Sequence, residues 1–239
     1  MSEARQYLVV DDNCAFGDNL VEILEDAGGI ATLASSAADA LRAVKARRFS
    51  ALLTDMRMPL MSGAGLVHEL RRVDPGLPAV VMTAYTADDD LEVARAEGVL
   101  AVLPKPVPLQ TLLAYLTHAR RGGLVVVVDG DADLRDLLGE LLRADGYTAV
   151  MASSLLEAEQ LTCARPFAAL VDLRMPGGKN GEAMRTLATR FPGVPLIAVT
   201  AHPDLRPPVP AAGYFVKPFE VSALLRLLDT LYRATPSAP

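Results

Sequence analysis

The chain has 239 residues, 51% of them hydrophobic and 22% charged, with a formal net charge of -6. At roughly 150 residues per domain this length suits one large domain or two small ones, and the hydrophobic share excludes a disordered chain. The acidic balance argues against a broad nucleic-acid surface, and pure apolar runs such as Leu124–Val128 fall far short of the ~20 residues a membrane helix needs. Cys14 and Cys163 offer neither a disulfide framework nor a metal cluster, and no secretory signal opens MSEARQYLVV, so the expected compartment is a reducing cytoplasm.

In chain order, a first strand is predicted over residues 7–10 (YLVV), ending on Asp11 and Asp12. Phe16, Leu20, Ile23 and Leu24 then recur at helical spacing. A strand over 30–33 and the helical pair Leu41 and Val44 lead to a third strand, 51–54 (ALLT), which ends on Asp55. Leu66, Val67 and Leu70 mark a helix, and strand four, 79–82 (AVVM), ends on Thr83. Asp88, Asp89 and Asp90 precede Leu91 and Val93 as a negatively charged helix start, favoured by the helix dipole. Strand five, 101–103, runs into Lys105 and Pro106, and a last helix extends to about Arg120. Strands one, three and four are apolar nearly throughout, as parallel strands covered on both faces are. Five strands alternating with helices predict a doubly wound α/β fold, in which ligands sit beyond the C-terminal strand ends. Asp11, Asp12, Asp55, Thr83 and Lys105 all fall there.

The same order then recurs. LVVDDNCAFGDNLVEILEDAG returns as VVVDGDADLRDLLGELLRADG, ALLTDMRMP as ALVDLRMP, PAVVMTA as PLIAVTA, and AVLPKP as YFVKP. The offsets are 118 for Asp11 to Asp129, 117 for Asp55 to Asp172 and for Thr83 to Thr200, and 112 for Lys105 to Lys217. Four matches in one order at near-constant spacing identify a tandem duplication, with the boundary at Arg120-Arg121-Gly122-Gly123.

Three carboxylates brought together need a cation or shifted pKa values, since like charges about 4 Å apart repel by about 4 kcal/mol at an effective dielectric near 20. An all-oxygen donor set suits Mg²⁺, one carboxylate can act as nucleophile toward a phosphoryl group, and Lys105 with Thr83 can hold the phosphoryl oxygens. Lysine supplies only four of the 23 basic residues, yet two of the four stand in matching Lys-Pro pairs, where a compact point charge is required.

With VVDD, TDMRMPLMSG, VVMTA and LPKP in that order, both halves resemble receiver domains of two-component response regulators. The resemblance implies two doubly wound five-stranded parallel-sheet (flavodoxin-like, CheY-like) α/β domains in tandem, residues 1–121 and 122–233, and a disordered tail, 234–239. It implies Asp55 as phospho-accepting aspartate, Asp11 and Asp12 as the acidic pair with Asp12 a direct Mg²⁺ ligand, and the Arg57 carbonyl as a backbone ligand. Thr83 matches the hydroxyl switch residue and Lys105 the phosphate-pairing lysine, with Pro106 in the cis-prone position. Val102 stands where the family has an aromatic; Tyr85 lies near Thr83. In the second copy Asp129, Asp172, Thr200 and Lys217 match, the Arg174 carbonyl is a weak counterpart of Arg57, and Tyr214 fills the aromatic position. Asp172 is a second, less complete acceptor site, because Gly130 replaces the metal-ligating acid and Asp131 is displaced by one residue. Four prolines between Thr200 and Lys217 exclude an ordinary fourth helix, and MPGGKNG is one residue longer than MPLMSG.

Other patterns are weaker. Asp129, Asp131, Asp133 and Glu140 have EF-hand spacing, but Leu134 replaces the required glycine and a strand precedes them. VVVVDGDADL is similar to the first motif of haloacid-dehalogenase-type phosphatases, the remote enzyme alternative; the repeat instead pairs Asp129 with Asp11. His68 in His-Glu-Leu-Arg lies on a helix with no kinase domain following, and His118 and His202 are incidental. The expected function is a stand-alone tandem-receiver regulator, not an enzyme beyond its own phosphorylation and dephosphorylation. Its phosphoryl donor is a sensor histidine kinase or histidine phosphotransfer protein. It signals to a downstream protein, homodimerises or contacts a partner, and binds neither nucleic acid nor membrane. The alternatives are that the second copy is a non-phosphorylated interaction module, or that the chain is the receiver part of a larger hybrid kinase. The phosphorylation-sensitive face of copy one is expected over residues 87–119. Leu227, Leu228 and Tyr232 of copy two are expected at exposed positions, forming a constitutive contact.

Overall fold

The computed structural model describes residues 4–84, 90–161, 163 and 165–235. The chain divides into two compact units, Met1–Arg121 and Gly122–Pro239. Tyr85, Asp88, Asp89 and the tail beyond Thr235 lie outside the described residues.

Unit one is built from β1 (Gln6–Val10), α1 (Cys14–Asp26), β2 (Ile30–Ala34), α2 (Ala37–Ala46), β3 (Ala51–Asp55), α3 (Gly63–Val73), β4 (Ala79–Thr83), α4 (Asp90–Ala96), β5 (Ala101–Pro104) and α5 (Leu109–His118). Its sheet is parallel throughout, in the order β2-β1-β3-β4-β5. Central β3 and β4 are buried along their whole length, whereas edge strand β2 begins exposed at Ile30. Alternate residues divide the core into two layers. Leu8, Val10, Leu52 and Val81 pack beneath α2 and α3 through Ala40, Val44, Leu66 and Leu70. Val9, Leu53, Val80 and Met82 pack on the opposite face against Leu20 and Leu24 of α1 and Leu112 and Leu116 of α5. Asn13, Ser36 and Ser62 cap α1, α2 and α3 by accepting from Phe16, Asp39 and Gly65 backbone N–H groups. Each such cap contributes about 1 kcal/mol. Arg5, just ahead of β1, donates to the carbonyls of Leu116 (2.9 Å), Thr117 (2.7 Å) and Ala119 (3.3 Å) at the end of α5, satisfying acceptors that the helix leaves open.

Unit two comprises β6 (Leu124–Val128), α6 (Ala132–Ala144), β7 (Thr148–Ala152), α7 (Leu155–Gln160), β8 (Ala168–Asp172), α8 (Glu182–Arg190), β9 (Leu196–Thr200), β10 (Gly213–Val216) and α9 (Val221–Ala234). The order β7-β6-β8-β9-β10 repeats that of unit one, again all parallel. As the prolines require, no helix lies between β9 and β10. Leu205 and Val209 from that segment instead pack on the core beside Met184 and Leu187 of α8.

Leu228 corrects one expectation: it is fully buried at 0% exposure, with Leu224 one turn before it. Tyr232 is also engaged, its ring edge-on to Phe167 and Tyr147 at centroid distances of 5.5 and 6.0 Å. The helix carries apolar residues on more than one stripe, and the stripe containing Leu228 faces the sheet. Leu228→Ala is therefore expected to cost about 2–5 kcal/mol in urea unfolding of the whole chain. An unchanged midpoint would place this side chain outside the core.

Candidate functional site

Strands β1, β3, β4 and β5 all end on one edge of the first sheet, and each delivers a polar group there. Asp11, Asp55 and Thr83 are buried, at 1%, 8% and 3% exposure. The Lys105 ammonium stands between two carboxylates, 2.8 Å from Asp11 Oδ2 and 2.7 Å from Asp55 Oδ1. The outer oxygens are fixed by backbone: Asn13 N–H donates to Asp11 Oδ1 (2.9 Å) and Arg57 N–H to Asp55 Oδ2 (3.1 Å). Lys105 N–H donates to the Thr83 carbonyl at 2.7 Å, and the Lys105–Pro106 bond is cis. Phe16 lays its ring 4.2 Å from the ammonium, a contact the sequence did not signal. Burial works against the charge on Lys105, but Asp11 and Asp55 outweigh it and hold the ammonium above the ordinary lysine range.

Gly63 explains how the loop after β3 is seated. A Cβ at this position would stand 2.2 Å from the Asp55 carbonyl oxygen, so only glycine lets α3 begin so close to the backbone at the end of β3. Gly63 N–H donates to the Met56 carbonyl at 2.8 Å and fixes the loop at its far end.

Asp12, the next residue after Asp11, is exposed at the same edge. Among the described residues no three acidic, histidine or cysteine side chains close around one point. The donor chemistry nevertheless fits Mg²⁺, which keeps several waters and takes only one or two carboxylates from a protein. Asp11, Asp12 and Asp55 carry three negative charges against the single positive charge of Lys105, so the edge attracts a cation.

Unit two repeats the cluster with changes. Lys217 lies 2.6 Å from Asp129 Oδ2 and 3.0 Å from Asp172 Oδ2, while Asp131 N–H and Arg174 N–H hold the outer oxygens at 2.9 and 3.0 Å. Thr200 is buried, its hydroxyl oxygen accepting from His202 N–H at 3.1 Å, and Lys217–Pro218 is cis. Burial raises the Asp129 carboxyl above its ordinary range despite Lys217, and the two carboxylates keep the Lys217 ammonium above its own range in spite of burial. Asp131 caps α6 by accepting from Leu134 N–H, the counterpart of Asn13 in unit one. Tyr214 donates its hydroxyl to the Leu205 carbonyl at 3.0 Å and pins the helix-free segment. The longer loop after β8 is closed by reciprocal Met175–Gly178 backbone bonds and borders a cleft of about 680 Å³ with Arg174, Lys179 and His202. It also fills the place of the absent acid: a Cβ on Gly130 would meet Pro176 Cδ at 2.8 Å.

Residues 7–117 and 125–229 each match the family model of the response regulator receiver domain. A response regulator receiver protein of Anaeromyxobacter sp. (strain Fw109-5) is 55% identical over 229 residues, which is 96% of either chain. Transcriptional regulatory protein ZraR of Escherichia coli O157:H7 is 35% identical over 112 residues, 47% of this chain and 25% of ZraR. Among solved structures, the receiver domain of sensor histidine kinase PA1611 from Pseudomonas aeruginosa PAO1, with a magnesium ion in its active-site cleft, is 26% identical. That likeness covers 48% of this chain and 95% of the other, at a TM-score of 0.45.

The Pro176 contact predicts that Gly130→Asp alone adds no Mg²⁺ affinity and costs about 1–3 kcal/mol through overpacking. Replacing Gly177–Asn180 by the shorter Leu-Met-Ser of unit one should make room for the acid. Calorimetric Mg²⁺ titration and thermal melts of both variants check this; tighter Mg²⁺ binding by Gly130→Asp alone would refute the steric argument.

Proposed function

The chain belongs to the response regulator receiver family across both of its halves, and on that premise we propose that the first, residues 1–121, accepts a phosphoryl group on Asp55. The observation that carries this reading is the ammonium of Lys105 held 2.7 Å from Asp55 and 2.8 Å from Asp11 at the sheet edge. Asp55 supplies the nucleophilic oxygen. Arg57 N–H orients the carboxylate by holding its second oxygen, leaving Oδ1 on the lysine side to bond phosphorus. Lys105 and the Thr83 hydroxyl then hold the oxygens of the arriving group, as charge-neutralising partners in phosphoryl transfer do. Asp11, Asp12, Asp55 and the Arg57 carbonyl would hold Mg²⁺, which when bound supplies charge neutralisation for the phosphoryl oxygens. The donor is a phosphohistidine on a sensor kinase or phosphotransfer protein, and output passes to a downstream protein through contact. No helix among the described residues is long and apolar enough to cross a membrane.

A second reading applies to residues 122–233. Gly130 crowded by Pro176, the raised carboxyl of Asp129 and the helix-free route from β9 to β10 favour an interaction module that takes up little or no phosphate on Asp172.

With acetyl phosphate and Mg²⁺, mass analysis is expected to find one phosphoryl group on the intact chain, lost in Asp55→Ala and kept in Asp172→Ala. Chelating the metal with EDTA should abolish uptake, and Lys105→Ala should lower it by about 10²-fold or more. Undiminished labelling of Asp55→Ala would overturn the assignment.

A further inference from the structure

The edge of the second sheet differs from that of the first in charge. Unit two has lost an acid there, with Gly130 where unit one has Asp12, and has gained Lys179 in its longer loop. Arg135, at the place of Gly17, adds a further cation, its Nη1 donating to the Asp129 carbonyl at 2.5 Å. Beside this edge lies the cleft of about 680 Å³, with Arg174, Lys179 and His202 in its lining. Among the described residues neither Arg174 nor Lys179 is paired with a carboxylate; the guanidinium instead lies 3.4 Å from His202 Nε2. The acid in the lining is Glu182, and Asn180 N–H donates to its Oε2 at 2.7 Å, which holds the carboxyl below its ordinary range. Two cations, Arg174 and Lys179, thus face the hollow against this one carboxylate.

The basic groups stand on fixed backbone. Arg174 N–H donates to Asp172 Oδ1 at 3.0 Å and His202 N–H to the Thr200 hydroxyl oxygen at 3.1 Å, while the Met175–Gly178 bonds close the loop just before Lys179. Cations that share a hollow repel one another until an anion enters between them. A guanidinium fork with an ammonium beside it is a donor set for phosphate oxygens. The hollow is much larger than one phosphate needs and falls in the size range of small-molecule sites. Met175 and Pro176 give it an apolar wall and Asn180 an amide, which suit the flat face and polar edge of a base. A long polyanion is disfavoured by the net charge of -6, because its binding needs many clustered cations. We infer that this cleft is a reversible site for a nucleoside monophosphate, its phosphate on Arg174, Lys179 and His202 and its base against Met175 and Pro176. No covalent bond forms, and the site requires phosphate uptake by neither Asp55 nor Asp172.

The test uses the full chain with AMP, GMP and CMP, their nucleosides and inorganic phosphate, followed by calorimetry and by amide chemical shifts. At least one nucleotide is expected to bind about tenfold or more tighter than inorganic phosphate, through the apolar surface it buries. The nucleosides, which lack the anion, should bind at least about tenfold more weakly than that nucleotide. Shift changes should centre on residues 174–182 and 202. Arg174→Gln and Lys179→Gln, both at exposed positions, should leave the unfolding midpoint of the free chain unchanged. Each should weaken nucleotide binding by about tenfold or more, as loss of a charged hydrogen bond does. Wild-type affinity in either variant would overturn the inference, and so would a failure of all three nucleotides to bind. Shift changes centred elsewhere in the chain would overturn it without recourse to a variant. Inorganic phosphate or a nucleoside bound as tightly as the nucleotide would overturn it too, since one half of the site would then have no part.

Discussion

One ammonium group sets the character of the first cleft. Asp11 and Asp55 are nearly sealed from water, and a buried carboxylate costs several kcal/mol unless it is paired. Lys105 pairs both at once. It does so from the end of edge strand β5, whereas the carboxylates end the adjacent strands β1 and β3, with β4 lying between. The ion pair therefore ties the edge of the sheet to its centre. Through this lysine the carboxylate of Asp55 is coupled to the end of β5.

The second copy keeps that electrostatic core and alters its surroundings. Lys217 again joins two buried aspartates, which is the arrangement that makes their burial tolerable. The retained cluster is thus accounted for by stability alone. Gly130, the bridged loop carrying Pro176 and the proline-rich segment pinned by Tyr214 all act on the cluster's rim. Conservation of the ion pair between the copies and divergence of the rim are separate matters, with separate physical causes.

Much of this was legible in the sequence because the central strands are short, almost wholly apolar and end in polar residues. The same periods recur in both copies, so the strand ends of one locate those of the other. Four prolines were enough to exclude the helix between β9 and β10. Other features depend on approaches between distant residues that no local pattern carries. Leu228 sits on a helix with more than one apolar stripe, and only the sheet decides which stripe is covered. Asp131 has the chemistry of a metal ligand, yet its place one residue before α6 makes it a cap. Asp11 and Asp12 are adjacent in sequence, yet just beyond β1 the first is buried and the second is exposed, a difference the paired acids did not signal. The contact between Pro176 and the space above Gly130 joins residues 46 positions apart.

The Arg5 clamp has a consequence for how such a chain can arise. By holding the start of β1 against the end of α5, it brings the two ends of a compact unit together at the pole of the sheet opposite the carboxylates. A gene segment encoding this unit can be copied in series with only a few linking codons, because the linking peptide leaves one unit and begins the next at that pole. A unit closed in this way can be repeated in series without the connecting peptide having to span the carboxylate end of its own sheet.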